Sequence, residues 1–347
     1  MKKIAFTGGG SAGHVVPNLA LIDEIVKDGK TDVCYFGTDG IERDLTEKKK
    51  IPYFAFSAPK LVRGKSFTAF KNNCKIPFRF SAAVKKAEEG LKEVAPDLVF
   101  SKGGYVALPV VVAARRLKIP VLTHESDFSP GLTTKLVAKK CEYVLTSFPE
   151  TVEAFKNGKY TGAPIRRELF SFSRSEGRAA LDLPKDKKIA LVFGGGSGSQ
   201  VINAAVRKLV QKRTDLFFLH AVGKGNVVHS NLKNYRQTEF IKDMGAAYAA
   251  ADVVISRAGA GSVFEILALK KPAILIPLEG QTRGDQKENA AYFEKKGLCH
   301  VLKQSELDGL EAAIDQTLDD EKLRDHLSTT LFKAGNENIL REIYALL

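Results

Sequence analysis

The chain has 347 residues, of which 44% are hydrophobic and 27% charged, a balance typical of globular proteins rather than disordered or fibrous ones. Its length suits two α/β domains better than one core. The formal net charge of +13 favours polyanionic partners: nucleic acid, anionic lipid headgroups or phosphorylated substrates. No stretch reaches the roughly 20 apolar residues of a membrane-spanning helix, and the first residues lack the pattern of a signal peptide.

Short β-branched runs alternate with amphipathic helical patterns along the whole chain. In the first half, helices are predicted at 15–27, 81–94 and 108–117. Strands are predicted at residues 4–7, 33–36, 98–101, 121–123 and 143–146. A second series of strands is predicted at 189–193, 216–220, 253–256 and 273–277. This alternation predicts parallel sheets covered by helices on both faces, in two doubly wound units.

The boundary between the two units is expected near residues 161–164, where Gly162 and Pro164 interrupt both patterns. A last helical pattern, 336–347, has no strand after it. We expect this helix to pack back on the first domain.

The first glycine-rich loop, Gly8 to His14, joins the first predicted strand to a helix. Glycines let backbone N–H groups approach a ligand closely, and a helix start favours negative charge. A purely structural tight turn would explain the glycines equally well, but it explains His14 poorly. The second strand ends in Gly37 instead of the acidic residue that holds a ribose in dinucleotide-binding domains, so a dehydrogenase is disfavoured.

A basic and aromatic stretch runs from Lys60 to Lys86 without any acidic residue. Such a stretch is typical of a membrane-surface patch, although single-stranded nucleic acid could stack on similar residues. The residues assigned to this membrane patch are Leu61, Arg63, Lys65, Phe67, Phe70, Lys71, Lys75, Phe78 and Arg79.

Two further segments of the second half run from a strand through small residues into a helix. Residues 194–199, Gly-Gly-Gly-Ser-Gly-Ser, repeat the arrangement of the first loop, and neither loop contains the Gly-Lys-Ser/Thr of an ATP-binding P-loop. The other segment, 255–265, ends in Glu265. This side chain could accept hydrogen bonds from a sugar diol, or it could be an ordinary first-turn glutamate favoured by the helix dipole.

The ordered motifs resemble those of the MurG family, the peptidoglycan N-acetylglucosaminyltransferases, in the form found in low-GC Gram-positive bacteria. The resemblance covers nearly the whole chain. It is carried by residues 8–14 with Pro17, 101–106, 124–127 with Pro130 and Gly131, 161–166, 240–244, 257–265 and 284–290.

The resemblance implies a GT-B fold, in which two Rossmann-like domains with doubly wound parallel sheets face each other across a cleft. The domains are then residues 1–162, on the acceptor and membrane side, and 163–335, which binds the UDP-sugar, followed by the helix at 336–347. The implied reaction transfers N-acetylglucosamine from UDP-N-acetylglucosamine to the muramyl sugar of undecaprenyl-linked lipid I, with inversion, giving lipid II for peptidoglycan synthesis. The implied partners are the sugar donor, the lipid-linked acceptor and the anionic cytoplasmic face of the bacterial plasma membrane. No nucleic acid is expected as a partner, and the resemblance does not indicate an oligomeric state.

The motifs also carry the expected binding residues. Ser11, Ala12, Gly13 and Asp127 are implied to border the transferred sugar or the acceptor. In the family the backbone near Ile241 recognises uracil, Glu265 the ribose hydroxyls and Gln286 the sugar. The full donor set by motif is Arg166, Gly196, Ser197, Ile241, Met244, Gly259, Ala260, Gly261, Ser262, Glu265, Gln286 and Asn289.

The reaction needs a base for the acceptor hydroxyl and stabilisation of the departing diphosphate. His14 is the first candidate base because its reference pKa is near neutrality, and Glu125 is the second. For both residues the alternative is a purely structural role. We favour the catalytic role for His14 and the structural role for Glu125. Because no Asp-x-Asp signature is present, we expect no metal or other cofactor, with Mg²⁺ at most a diffuse stimulant.

Three positions depart from the family pattern. Ala12 stands where glycine is usual, Gly196 stands where a phosphate-binding serine is usual, and Asp127 replaces the more widespread asparagine.

The alternative hypotheses are another GT-B transferase, a UDP-N-acetylglucosamine epimerase, or a basic nucleic-acid-binding protein. A nucleic-acid-binding protein would leave both glycine loops unexplained.

Overall fold

The computed structural model describes residues 1–60, 73–196, 198–280, 285–332 and 334–347. Two compact units divide the chain: Met1–Ile165 together with Ala334–Leu347, and Arg166–Lys333. Each unit contains one parallel sheet flanked by helices, so the predicted α/β fold class is confirmed.

All neighbouring strands in the sheet of the first unit are parallel, and β1 lies in its interior between β2 and β4. Its strands are β1 (Lys2–Thr7), β2 (Thr31–Gly37), β3 (Tyr53–Ala55), β4 (Leu98–Ser101), β5 (Val121–Glu125), β6 (Tyr143–Thr146) and β7 (Gly158–Tyr160). The spatial order is β3-β2-β1-β4-β5-β6-β7. The order therefore reverses between β1 and β4, where Thr7 pairs in register with Ser101.

The second unit repeats this plan. Its strands are β8 (Lys188–Phe193), β9 (Leu216–Ala221), β10 (Tyr235–Thr238), β11 (Val253–Ser256), β12 (Ala273–Leu275) and β13 (His300–Val301). They lie in the order β10-β9-β8-β11-β12-β13, which reverses between β8 and β11. In sheets of this type, ligands bind beyond the carboxyl ends of the strands at the reversal. The two glycine-rich loops follow β1 and β8, so each lies at a reversal point.

The helices connect these strands. In the first unit they are α1 (Ala12–Ile25), α2 (Ile41–Lys48), α3 (Ile76–Val94), α4 (Gly104–Arg116), α5 (Leu132–Val137) and, from the chain end, α13 (Asn336–Tyr344). In the second unit they are α6 (Arg174–Ala180), α7 (Gln200–Leu209), α8 (Met244–Ala250), α9 (Ala260–Ala268), α10 (Asp285–Lys295), α11 (Leu310–Asp319) and α12 (Glu321–Thr329). Single 3-10 turns occur at Val26–Asp28, Ala138–Lys140, Glu150–Ala154, Arg167–Phe170 and Gln304–Gly309.

Alternating side chains of the central strands build two separate cores in the first unit. Ala5 packs with one cluster, whereas Ile4 and Phe6 pack with the other, because successive strand residues point to opposite faces of a sheet. All three side chains are fully buried. A run that is apolar on both faces is what a strand covered by helices on both sides requires.

Helix α13 packs on the first unit. Ile339 and Ile343 are fully buried in the same cluster as Ile4 and Phe6. At the helix start, Asn336 accepts a hydrogen bond from Ile165 N (2.7 Å) and donates one to Ile165 O (3.0 Å). Burying each isoleucine contributes about 1.5–3 kcal/mol, which fixes the returning chain on this unit.

Candidate active site

The first glycine-rich loop places His14 in the first turn of α1. Nδ1 of this half-buried ring lies 3.1 Å from Gly9 O and 3.0 Å from Ser11 Oγ. A carbonyl oxygen can only accept a hydrogen bond, so a hydrogen bond between Nδ1 and Gly9 O requires the proton to be on Nδ1. Nε2 is then the basic nitrogen. This is the tautomer that a general base needs if it acts through Nε2.

The charges near His14 set its protonation. Burial and then the Lys102 charge lower the pKa of His14 below its usual range, opposed by Glu125, by the Gly9 carbonyl and by Glu42. A lowered pKa leaves the imidazole neutral at pH 7, which is the form able to take a proton.

Three of the other residues predicted to border the transferred sugar or the acceptor lie along the same loop, whereas Asp127 lies in the turn after β5. Ser11, at the N-cap of α1, and Gly13 are exposed, and Ala12 is half-buried as the first residue of α1. Ala12 has no left-handed φ, so alanine fits where the family usually has glycine.

The loop after β4 comes close to His14. A Cβ on Gly104 would lie 2.6 Å from Gly9 O and 3.1 Å from His14 Nδ1, and Gly104 has φ +78°. Both the contact and the backbone angle require glycine at this position. The motif at residues 101–106 therefore lies directly against the first loop.

Lys102, in this same motif, is a site feature that the sequence analysis did not single out. Its side chain is 2% exposed, and Nζ donates a hydrogen bond to Ser126 Oγ. Burial lowers the pKa of Lys102 to about 8, against the opposing charges of Glu125 and Asp127. A buried ammonium is thus placed beside the turn that carries Asp127.

Glu125 ends β5 and shapes the turn that follows it. Its Oε1 accepts a hydrogen bond from Asp127 N (3.1 Å) and its Oε2 accepts one from Gly131 N (2.8 Å). Both carboxylate oxygens are bonded to backbone amides, an arrangement that supports a structural role. His124, next to it, is buried and hydrogen-bonds Gly162 O at 3.0 Å.

In the second unit, the loop after β8 leads into α7. A Cβ on Gly198 would lie 2.1 Å from Val222 O, and Gly198 has φ +74°, so this position requires glycine. The loop is held from beneath by Arg257, whose Nη2 donates to Ser199 Oγ at 2.8 Å. Gly196 is exposed on this loop, and Ser197 lies outside the described residues.

Arg166 and Glu265, both predicted to bind the donor, are in direct contact. Arg166 Nε and Nη2 donate to the two oxygens of Glu265 at 2.9 and 3.1 Å, a bidentate pair. The buried Tyr248 hydroxyl donates to Glu265 Oε2 at 3.3 Å. Burial alone would lower the pKa of Arg166, but the Glu265 carboxylate outweighs burial and raises it.

The remaining donor-side residues surround the starts of α8, α9 and α10. Ile241 and Met244 are half-buried at the start of α8. Gly259 caps α9, and Cβ atoms built on Gly259 or Gly261 would meet nothing within 4 Å, so open space lies above this helix start beside Ala260 and Ser262. In α10, Gln286 Oε1 accepts from Leu278 N at 3.0 Å, and the buried Asn289 donates to Ala258 O at 3.3 Å.

The predicted membrane patch falls largely outside the described residues, which omit Leu61, Arg63, Lys65, Phe67, Phe70 and Lys71. Lys75, Phe78 and Arg79 lie at the start of α3 and are exposed, Phe78 by 81%.

In the described part of the chain, no helix is long and apolar enough to cross a membrane. Nor do the described residues hold a group of three or more His, Cys, Asp or Glu side chains arranged for a metal ion.

Comparisons with known proteins identify the family of the chain. Residues 4–146 match the N-terminal domain and residues 189–342 the C-terminal domain of glycosyltransferase family 28. Among solved structures, Acinetobacter baumannii MurG superposes with a TM-score of 0.76 at 24% identity, over 99% of this chain and 100% of that one. A UDP-GlcNAc 2-epimerase from Neisseria meningitidis superposes with a TM-score of 0.71 at 14% identity, over 99% and 100%, so the GT-B fold is shared with enzymes of another reaction.

Relatives with higher sequence identity narrow the assignment to one kind of transferase. A UDP-N-acetylglucosamine–N-acetylmuramyl-(pentapeptide) pyrophosphoryl-undecaprenol N-acetylglucosamine transferase of Clostridium botulinum is 46% identical over 89% of this chain and 88% of its own. The Clostridium perfringens enzyme of the same name is 42% identical over 96% and 95%. Identity at this level along nearly the full length of both chains shows that the protein belongs to the family of these N-acetylglucosamine transferases, the MurG family.

Proposed function

We propose that the protein transfers N-acetylglucosamine from UDP-N-acetylglucosamine to the muramyl sugar of undecaprenyl-pyrophosphoryl-MurNAc-peptide, lipid I, and so makes lipid II. The observation that carries this proposal is the 46% identity with a transferase of that name over 89% of the chain. The first unit binds the acceptor and the second unit binds the donor.

His14 serves as the general base. Its Nε2 takes the proton of the acceptor hydroxyl while the hydroxyl oxygen attacks the anomeric carbon of the donor. The bond from that carbon to the diphosphate breaks, UDP leaves with the electron pair, and the anomeric centre is inverted. The Nδ1–H···O bond to Gly9 supports this role, because it leaves Nε2 unprotonated.

The second unit stabilises the departing UDP. The starts of α7 and α9 present backbone N–H groups that have no partner within the helix, and such groups favour negative charge. Arg166 adds a guanidinium, and Glu265 is held in place to receive the ribose hydroxyls. These groups can neutralise a diphosphate without a resident metal ion, which is the chemistry we propose.

The enzyme works at the cytoplasmic face of the plasma membrane as a peripheral protein. Exposed Lys75, Phe78 and Arg79 at the start of α3 supply two cations and one apolar side chain to an anionic surface. We expect binding to anionic vesicles to weaken as salt rises. Phe78→Ala should weaken that binding further, and equal binding to neutral vesicles would contradict the electrostatic part.

UDP release measured with matched donors and acceptors tests the proposed reaction. We expect release from UDP-N-acetylglucosamine when a lipid I analogue is present, and little release from UDP-glucose or UDP-galactose. A reaction that needs no acceptor and yields the epimeric sugar nucleotide would identify an epimerase instead. His14→Ala should keep donor binding and lose turnover.

A further inference from the structure

A buried carboxylate lies directly beneath the first glycine-rich loop. Glu42, the second residue of α2, is 0% exposed. Its Oε2 accepts a hydrogen bond from Gly10 N at 3.1 Å. Its Oε1 accepts from Thr38 N at 3.1 Å and from Thr38 Oγ1 at 2.5 Å. Three donors from two loops therefore fix this side chain under the loop that leads to His14.

Glycines make the room that this carboxylate occupies. A Cβ on Gly9 would lie 2.6 Å from the Glu42 carboxyl group, and one on Gly40 would lie 3.0 Å from it. A Cβ on Gly37 would lie 2.8 Å from Glu42 Cγ. Gly9 has no left-handed φ, so the space taken by Glu42, and not the backbone angle, accounts for glycine at this position.

One peptide group joins Glu42 to His14. The carbonyl of Gly9 and the N–H of Gly10 belong to the same planar peptide. Its N–H donates to Glu42 Oε2, and its carbonyl accepts from His14 Nδ1 at 3.1 Å. Hydrogen bonds in such a chain polarise one another, because negative charge at the N–H end increases the electron density on the carbonyl oxygen.

We propose that Glu42 is a positioning residue for His14 and acts through the Gly9–Gly10 peptide. In a Ser-His-Asp triad the acid orients the histidine and selects its tautomer by direct contact. Here the same two effects pass through a peptide group, which holds the Nδ1–H tautomer and leaves Nε2 basic. The inference rests on the proposed role of His14 as the base.

Other charged and titratable groups surround this chain of contacts. Lys102, after β4, and Glu125, at the end of β5, act on His14 in opposite directions. Buried Tyr35 and half-buried Tyr53 lie in the field of Glu42, and burial is the first cause that raises the pKa of each hydroxyl. Glu42 itself raises the pKa of His14. Removing its charge should therefore lower the pKa of His14 and make Nε2 a weaker base.

The pH dependence of kcat/KM in Glu42→Gln tests this effect. The amide keeps the size of the side chain and removes its charge. We expect the acid limb, which reports loss of the neutral base, to move to lower pH, and kcat at pH 8 to fall about tenfold or more. The KM for the donor should stay unchanged. Glu42→Asp, which keeps the charge, should restore the position of the limb.

Glu47→Gln is the matched control. Glu47 lies on the same helix, is exposed, and pairs with Arg43 at 2.7 Å. This variant should therefore match the wild type in the position of the acid limb and in kcat. An acid limb in Glu42→Gln that does not move would overturn the inference while the proposed function stands, provided His14→Ala is inactive. If His14→Ala keeps its turnover, the proposed base is wrong and the role of Glu42 in catalysis fails with it.

Nitrogen NMR of the His14 ring gives a readout that does not depend on activity, and its first part needs only the wild-type protein. At neutral pH we expect Nδ1 to be protonated and Nε2 to be bare. The Nδ1 proton should resonate downfield, and Glu42→Gln should move it upfield. A wild-type ring protonated at Nε2 would overturn the inference outright.

Discussion

Glu265→Gln measures how the second unit recognises the nucleotide. In the wild type, the two Glu265 oxygens accept hydrogen bonds from Arg166 at 2.9 and 3.1 Å and from Tyr248 at 3.3 Å. The carboxylate is 14% exposed as a side chain, so little solvent screens it. A hydrogen bond to a charged acceptor is worth about 1.5–3 kcal/mol. Loss of about 2 kcal/mol corresponds to roughly 30-fold weaker binding.

Calorimetric titration with UDP and with 2′-deoxy-UDP separates ribose contact from general damage. The wild type should bind the deoxy compound about 30-fold more weakly than UDP. Glu265→Gln should bind both compounds with nearly equal affinity, because the variant has already lost the contact that the missing hydroxyl makes. Glu306→Gln, a surface change in the same unit whose Glu306 pairs with Lys303 at 2.8 Å, should behave as the wild type. If the losses from Glu265→Gln and from 2′-deoxy-UDP are additive, Glu265 does not contact the 2′-hydroxyl of the ribose.

Three further predictions follow from the first unit. Because burial lowers the pKa of His14, kcat/KM should hold as the pH falls through 6.5 and decline only below it; a pH profile whose acid limb lies above 6.5 would contradict this. Gly9→Ala should destabilise the protein in urea unfolding, since its Cβ would lie 2.6 Å from the Glu42 carboxyl group, whereas Gly13→Ala, whose nearest neighbour would be 3.8 Å away, should not. Ile339→Ala should lower the free energy of unfolding by about 2–4 kcal/mol because Ile339 is fully buried; a loss below about 1 kcal/mol would show that α13 is not held on this unit.

The central strands and the loops after them could be predicted because their signals are local. Residues 4–7 and 189–193 are apolar on both faces, and each is followed at once by glycines, as a strand at the reversal of a doubly wound sheet requires. The sequence patterns did not predict the strands at the edges of the two sheets. Tyr53–Ala55, Gly158–Tyr160 and His300–Val301 are only two or three residues long, too short to show the alternation of a strand. Strand β12 stops at Leu275, two residues before the predicted end.

The supports of the site were harder to predict than its surface. His14, Arg166 and Glu265 belong to motifs, so their positions could be inferred from order along the chain. Glu42 lies in an ordinary acidic and basic helix, and only the packing of α2 under the first loop shows that it is buried. From the sequence, Lys102 would likewise be expected on the surface, and only the structure shows that its side chain is buried and hydrogen-bonded to Ser126. Burial of a charge depends on contacts distant in sequence, which no local pattern records.

Product analysis tests the account most directly. The protein is incubated with UDP-N-acetylglucosamine and a lipid I analogue, and the acceptor product is studied by mass spectrometry and proton NMR. We predict an acceptor heavier by one N-acetylhexosamine residue, joined through a β-anomeric linkage, and loss of that product in His14→Ala. An unmodified acceptor, a different sugar or an α linkage would contradict the account.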